Sequence, residues 1–174
     1  MSTLRIPITS ADHTVGDPST AKIVLVEYGD YQCPYCGHAF PLVKRFVEEH
    51  PEEVAFIFRN FPLTDAHEYA MAAATIAEAS GKQGKFWEMH DLIYNNQNLL
   101  NENMLKECVA TLKLSVNQIE NDIHTSELQN KIEADFEGGV RSGVNGTPSF
   151  FVNGQKWEDY DGTYNSFLEL LSNN

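Results

Sequence analysis

The spacing of apolar residues changes period twice in the first part of the chain. Ile23 to Tyr28 reads Ile-Val-Leu-Val-Glu-Tyr, a β-branched run that is apolar on both sides and predicts a strand covered on each face. From Pro34 the period becomes helical. Phe40, Val43, Phe46 and Val47 form one stripe to about His50, Pro34 suits the first helical position, and Pro41 should kink the helix. Val54 to Arg59 returns to a strand, so residues 22–61 make a βαβ unit. Residues 1–21 are polar and broken by Pro7, Gly16 and Pro18. They read as an arm in which Leu4 to Ile8 adds a short edge strand.

Between Pro62 and Gly143 helical patterns recur and strand patterns do not, so 62–143 reads as an all-helical insertion. Asp65 to Ser80 predicts a helix with Glu68 placed to complete a capping box. Further stripes run through Phe86, Met89, His90 and Ile93, then through Met104, Leu105, Cys108, Val109 and Leu112. Ser115 with Gln118 opens another helix. Leu128, Ile132, Phe136 and Val140 form the last, closed by Gly143 and weakened by Gly138 and Gly139. Strand signals return at Ser149 to Val152, and Asn153-Gly154 turns the chain into Gln155 to Trp157. Asp161-Gly162 then leads to a helix capped by Thr163, with Phe167, Leu168 and Leu171 as its buried face. Residues 144–174 are thus a ββα unit, and the fold class is α/β: two halves around a mixed sheet, parted by helices.

Composition narrows the functions. With 174 residues and 42% hydrophobic content the chain can bury one sizeable core. A formal net charge of -13 repels phosphate backbones and anionic membranes, so nucleic acid is not an expected partner. No apolar run is long enough for a membrane span, and Met1 to Thr20 lacks the basic start and apolar core of a secretion signal. Taken literally, the chain is cytoplasmic; it is periplasmic or otherwise extracytoplasmic if a signal has been removed.

Three cysteines are too few for a disulfide-dense scaffold, and two of them form the motif Cys33-Pro34-Tyr35-Cys36. A cysteine at a helix N-cap and another one turn on lie on the same side of the helix, near enough for a reversible disulfide. The free N–H groups of that turn and the helix dipole lower the pKa of Cys33, while Cys36, one turn deeper, is placed to attack a mixed disulfide on Cys33. Half a zinc site is the bland alternative, but no second close Cys or His pair completes four ligands, so no metal is expected. His38 lies near the pair and is kept out of the site; His90 and Cys108 sit on apolar stripes as core residues, as do Phe86, Trp87 and Tyr94.

Val26 to Cys36 (Val-Glu-Tyr-Gly-Asp-Tyr-Gln-Cys-Pro-Tyr-Cys), Phe58 to Leu63 (Phe-Arg-Asn-Phe-Pro-Leu) and Gly146 to Gly154 (Gly-Thr-Pro-Ser-Phe-Phe-Val-Asn-Gly) resemble the DsbA-like branch of the thioredoxin superfamily. The resemblance covers nearly the whole chain and implies a thioredoxin fold with its helical insertion. It implies that Cys33 attacks, that Cys36 resolves, and that Pro34 and Tyr35 tune the redox potential. It also implies that Thr147-Pro148 is a cis-proline loop facing the cysteines and offering backbone groups to a substrate strand.

Glu27 matches a buried acid beneath the disulfide in such proteins. Its other reading is a surface residue on the strand; if buried, its pKa must rise, and it can relay a proton for Cys36. The activity implied is disulfide exchange with protein thiols and disulfides, with a redox partner protein or glutathione and no cofactor. An oxidase role needs export from a reducing cytosol. The rivals are a reductase or isomerase, which Thr147 favours slightly, and a redox-regulated binding or sensor module, since similar domains occur fused to membrane transporters.

Overall fold

The computed structural model describes residues 2–173. Its elements in chain order are β1 (His13–Val15), β2 (Ile23–Gly29), α1 (Pro34–Glu49), β3 (Val54–Asn60), α2 (Ala70–Lys82), α3 (Phe86–Asn95) and α4 (Glu102–Thr111). α5 (Val116–Ile123), α6 (Ser126–Arg141), β4 (Ser149–Val152), β5 (Gln155–Lys156) and α7 (Tyr164–Asn173) follow, and a 3₁₀ turn at Gln97–Leu99 links α3 to α4. The five strands form one sheet in the order β1-β3-β2-β4-β5. β2 and β3 pair in parallel across α1, and every other pairing is antiparallel. This is a mixed-sheet thioredoxin fold with α2 to α6 between its two halves.

The central strand β2 separates two cores because its side chains alternate. Ile23 and Leu25 join the larger core with Phe46, Phe56, Phe58, Phe150 and Phe167. Val26 and Tyr28 join the smaller one with Ile57, Phe61, Val144 and Phe151. Glu27 shares the parity of Ile23 and Leu25, so its carboxyl points into the larger core, on the side of α1. The opposite face carries Arg59, whose guanidinium is buried and donates to both Asp12 carboxylate oxygens at 2.8 and 3.0 Å, to the Tyr28 hydroxyl, and to the Ile6 and Pro7 carbonyls. A buried fork so fully paired fastens the N-terminal arm across this face.

Four expectations change. The edge strand is His13–Val15 rather than Leu4 to Ile8. His13 stacks on Phe86 with ring centroids 3.4 Å apart and bonds to Glu78 at 2.8 Å, whereas Pro7 lacks an N–H and the Ile6 and Pro7 carbonyls are taken by Arg59. The arm instead touches the far edge, where Leu4 N–H donates to the Gly154 carbonyl. α2 starts at Ala70, not Asp65, and Glu68 caps nothing. The Leu63 N–H, the His67 ring and the Tyr69 N–H are all bound to the loop before α1. Val140 is 54% exposed while Gly138 and Gly139 are buried, because a Cβ at Gly139 would lie 2.7 Å from the Phe61 ring. In α7 the buried apolar residues are Phe167 and Leu170, and Leu168 is 37% exposed.

Candidate active site

The loop from β2 to α1 is built on Asp30, which is itself almost wholly buried. One carboxylate oxygen accepts the Gln32 N–H at 2.7 Å, an Asx turn that closes the loop; the other accepts Leu63 N–H and the His67 ring. Cys33 N–H then donates to the Asp30 carbonyl, and Cys33 becomes the N-cap of α1 with extended backbone, followed by Pro34 at the first helical position. Proline there leaves no donor unpaired. Tyr35 projects from the same turn and is 75% exposed.

Both thiols are more enclosed than a nucleophile at a loop end suggests. Cys33 is 4% exposed and Cys36 is fully buried. The Cys33 sulfur lies 3.3 Å from the Thr147 carbonyl, to which its thiol donates, and the Thr147–Pro148 peptide is cis. The Cys36 sulfur accepts from the Asp30 N–H at 3.5 Å. Thr147 and Pro148 therefore sit over the cysteine that begins the helix, while Pro34 and Tyr35 flank it on the exposed side.

The two sulfurs are driven apart in acidity. Cys33 is pulled down to about 5, first by a hydrogen bond from the Cys36 thiol, against the cost of burial, then by Thr147 and by the Cys36 and Tyr35 N–H groups. The helix terminus contributes, but the neighbouring thiol contributes more. The Thr147 hydroxyl is buried with no partner among the described residues while Cys33 is protonated, and it becomes a donor once a thiolate forms. Cys36 is pushed well above the ordinary thiol value by burial, by its bond to Cys33 and by the charges of Glu27 and Cys33. Glu27 is raised to about 8 by burial first and by the Cys33 charge second. It lines a cavity of about 190 Å³ together with Phe40, Val43, Phe56, Trp87 and His90. Titrating the reduced protein by thiolate absorbance should give a single step near pH 5 from Cys33, with no second step below pH 9. A first midpoint at the ordinary cysteine value of ~8.5 would contradict this arrangement.

The His38 ring is bonded to the Gly162 carbonyl at 2.9 Å rather than to either cysteine. His90 is buried among Phe58, Trp87 and Tyr94, and Cys108 lies against the Met104 sulfur. No group of three or more potential metal ligands occurs among the described residues, and no helix there is long and apolar enough to cross a membrane. Sequence reasoning missed Asp30, His67 and Gln97. The Asx turn at Asp30 had a local signal. His67 and Gln97 reach the loop from the helical segment, and nothing in their own neighbourhood marks them.

Comparison with known proteins agrees with the fold. A family model described as thioredoxin matches residues 9–172. A protein named Na(+)/H(+) antiporter NhaA 1, from Salinispora arenicola, is 38% identical over 169 residues, which are 97% of this chain and 25% of that protein. The chain thus spans about a quarter of the length of the curated relatives it matches. A thioredoxin-like oxidoreductase from Silicibacter pomeroyi superposes with a TM-score of 0.81 at 24% identity, over 95% of this chain and 92% of that one. The thiol-disulfide exchange protein alpha-DsbA2 from Wolbachia pipientis superposes with a TM-score of 0.81 at 16% identity, over 94% and 87%.

Proposed function

The chain belongs to the thioredoxin family, and from that premise we propose that it is a thiol–disulfide oxidoreductase acting on protein substrates. Cys33 is the nucleophile and Cys36 the resolving thiol. The observation that carries this is the placement of two thiols one helical turn apart, Cys33 as the N-cap of α1 against the Thr147 carbonyl and Cys36 fully buried behind it, an arrangement that lowers the Cys33 pKa and raises that of Cys36. The Cys33 thiolate attacks a substrate disulfide and displaces one substrate thiolate. Cys36 then gives its proton to Glu27 and attacks the Cys33 sulfur, which releases the second substrate thiolate and leaves the Cys33–Cys36 disulfide. Reversal of both steps donates a disulfide instead. A substrate backbone lying along Thr147 and Pro148 would meet the Cys33 sulfur at the right edge, and Tyr35 would border it.

A strongly stabilised thiolate favours the dithiol form, so the disulfide form is the more oxidising and the proposed direction is disulfide donation. Such a role belongs outside a reducing cytosol. In glutathione buffers the pair should equilibrate at a potential well above the ~−270 mV of thioredoxin, and the protein should reoxidise reduced substrates over many turnovers. A potential at or below that of thioredoxin would reverse the direction.

A second reading is favoured by the relatives named as antiporters, of which this chain matches a quarter. In it, the domain is a redox-sensing module attached to a transporter, and its disulfide changes a partner surface without turnover. A single stoichiometric oxidation of substrate, with no multiple turnover at any glutathione ratio, would select the module.

A further inference from the structure

The 3₁₀ turn after α3 places one side chain against the cysteine loop. The Gln97 carboxamide nitrogen lies 2.8 Å from the Tyr31 carbonyl and 2.8 Å from the Cys33 carbonyl. Two carbonyl acceptors require a donor with two hydrogens, which identifies this end of the amide as the NH₂. The Cys33 carbonyl also accepts the Gly37 N–H at 3.0 Å, so Gln97 inserts beside the first backbone hydrogen bond of α1.

Gly37 shows the same contact from the other side. A Cβ there would lie 2.1 Å from the Gln97 carboxamide oxygen and 2.8 Å from its carbon. Gly37 lies inside a helix and is absent from the positive-φ glycines, so backbone conformation does not call for glycine. Alanine would favour the helix. What glycine supplies is room for the carboxamide.

We propose that Gln97 is a positioning residue for the Cys33 thiolate, seated on Gly37, and that through it the helical segment sets the reactivity of the cysteine pair. The inference rests on reading Cys33 as the nucleophile. The amide neutralises two carbonyl dipoles that bracket the loop, and it fixes the peptide after Cys33. The Tyr35 and Cys36 N–H groups that support the thiolate follow directly from that peptide. With the donor removed, the carbonyls lose a partner and the N–H groups lose their aim, so proton affinity at Cys33 rises.

The test is the Cys33 midpoint by thiolate absorbance, with cooperative thermal unfolding as the check that each variant is folded. Gln97→Ala should raise the midpoint by about one unit, and Gln97→Glu by more, because a carboxylate cannot donate to either carbonyl. Gly37→Ala should raise it similarly by evicting the carboxamide. In the double variant Gly37→Ala/Gln97→Ala the shift should equal that of Gln97→Ala alone, since the clash is gone. Additive shifts, or a Gln97→Glu protein that titrates like the unsubstituted one, would overturn the proposal. The readout needs no turnover. A protein inactive in exchange but shifted as described would leave this inference standing and remove the functional reading, and an active protein with unmoved midpoints would do the reverse.

Discussion

Cys36→Ala is expected to accumulate a covalent mixed disulfide with protein substrates, and Cys33→Ala to accumulate none. Cys33 near 5 is almost wholly ionised at neutral pH, whereas an ordinary thiol at ~8.5 is ionised to about 3% and Cys36, raised well above that, to far less. Intrinsic nucleophilicity falls as pKa falls, which offsets part of this advantage, but complete burial of Cys36 adds to it. Exchange by Cys33→Ala should therefore be slower by roughly 10³-fold. Cys36→Ala keeps the attacking sulfur and loses the resolver, so the adduct should survive acid quenching and run as a high-mass band that dithiothreitol removes.

One secondary effect sets the conditions of that experiment. The bond from Cys36 is the largest cause of the low Cys33 value, so Cys36→Ala also makes Cys33 less acidic. Trapping should be compared near pH 8, where that loss matters least. Equal trapping by both variants, or trapping by Cys33→Ala alone, would reverse the assignment of nucleophile and resolver.

The difference between what could be read in the chain and what could not follows from the range of the forces involved. Period and punctuation are local, so β2, α1, β3 and β4 lay where their residues suggested, and Ser115 and Thr163 cap α5 and α7 by accepting N–H groups at 3.3 and 3.4 Å. The two cysteines and the proline-started helix are equally local, which made the centre of the site legible. Where tertiary partners competed, local signals lost. The capping box at Glu68 is a good helix start on its own, but His67 and Tyr69 are bound to Asp30 and Gln32, and the helix begins after them. The arm behaves likewise: Leu4 to Ile8 has strand-like residues, yet the Arg59 guanidinium takes its carbonyls and His13 finds Phe86 and Glu78. Gln97 was invisible because its meaning lies wholly in two carbonyls more than sixty positions away. The buried polar residues that hold the site are long-range choices.

Glu27→Gln is expected to slow resolution of a preformed mixed disulfide by about 10²-fold at pH 8 and to remove the inflection near 8 from its pH profile, leaving a rate that keeps rising with pH as solvent base ionises Cys36. Cys36 must lose a proton before it attacks, burial makes that proton hard to remove, and the Glu27 carboxylate, raised to about 8, is a base matched to the task. In the mixed disulfide Cys33 carries no charge, so the second cause of the Glu27 shift is absent and the midpoint of the rate profile should fall at or somewhat below 8. Stability carries the same signature. Between 4.5 and about 8 the folded state holds a proton that unfolded Glu27 releases, so folding stability falls as pH rises through this window and levels off above it. The full difference is at most about 5 kcal/mol, at 1.36 kcal/mol per pKa unit. The reduced Cys33 thiolate has the opposite slope, since its folded pKa is depressed, so unfolding in urea should be compared in the oxidised protein, where neither sulfur ionises. There the glutamine variant should lose the decline and become the more stable protein at pH 9. A variant that keeps the original rate profile while losing the stability slope would show a buried acid that titrates but does not serve Cys36. A variant that keeps both would place the carboxyl in water, against its position in the core beside α1.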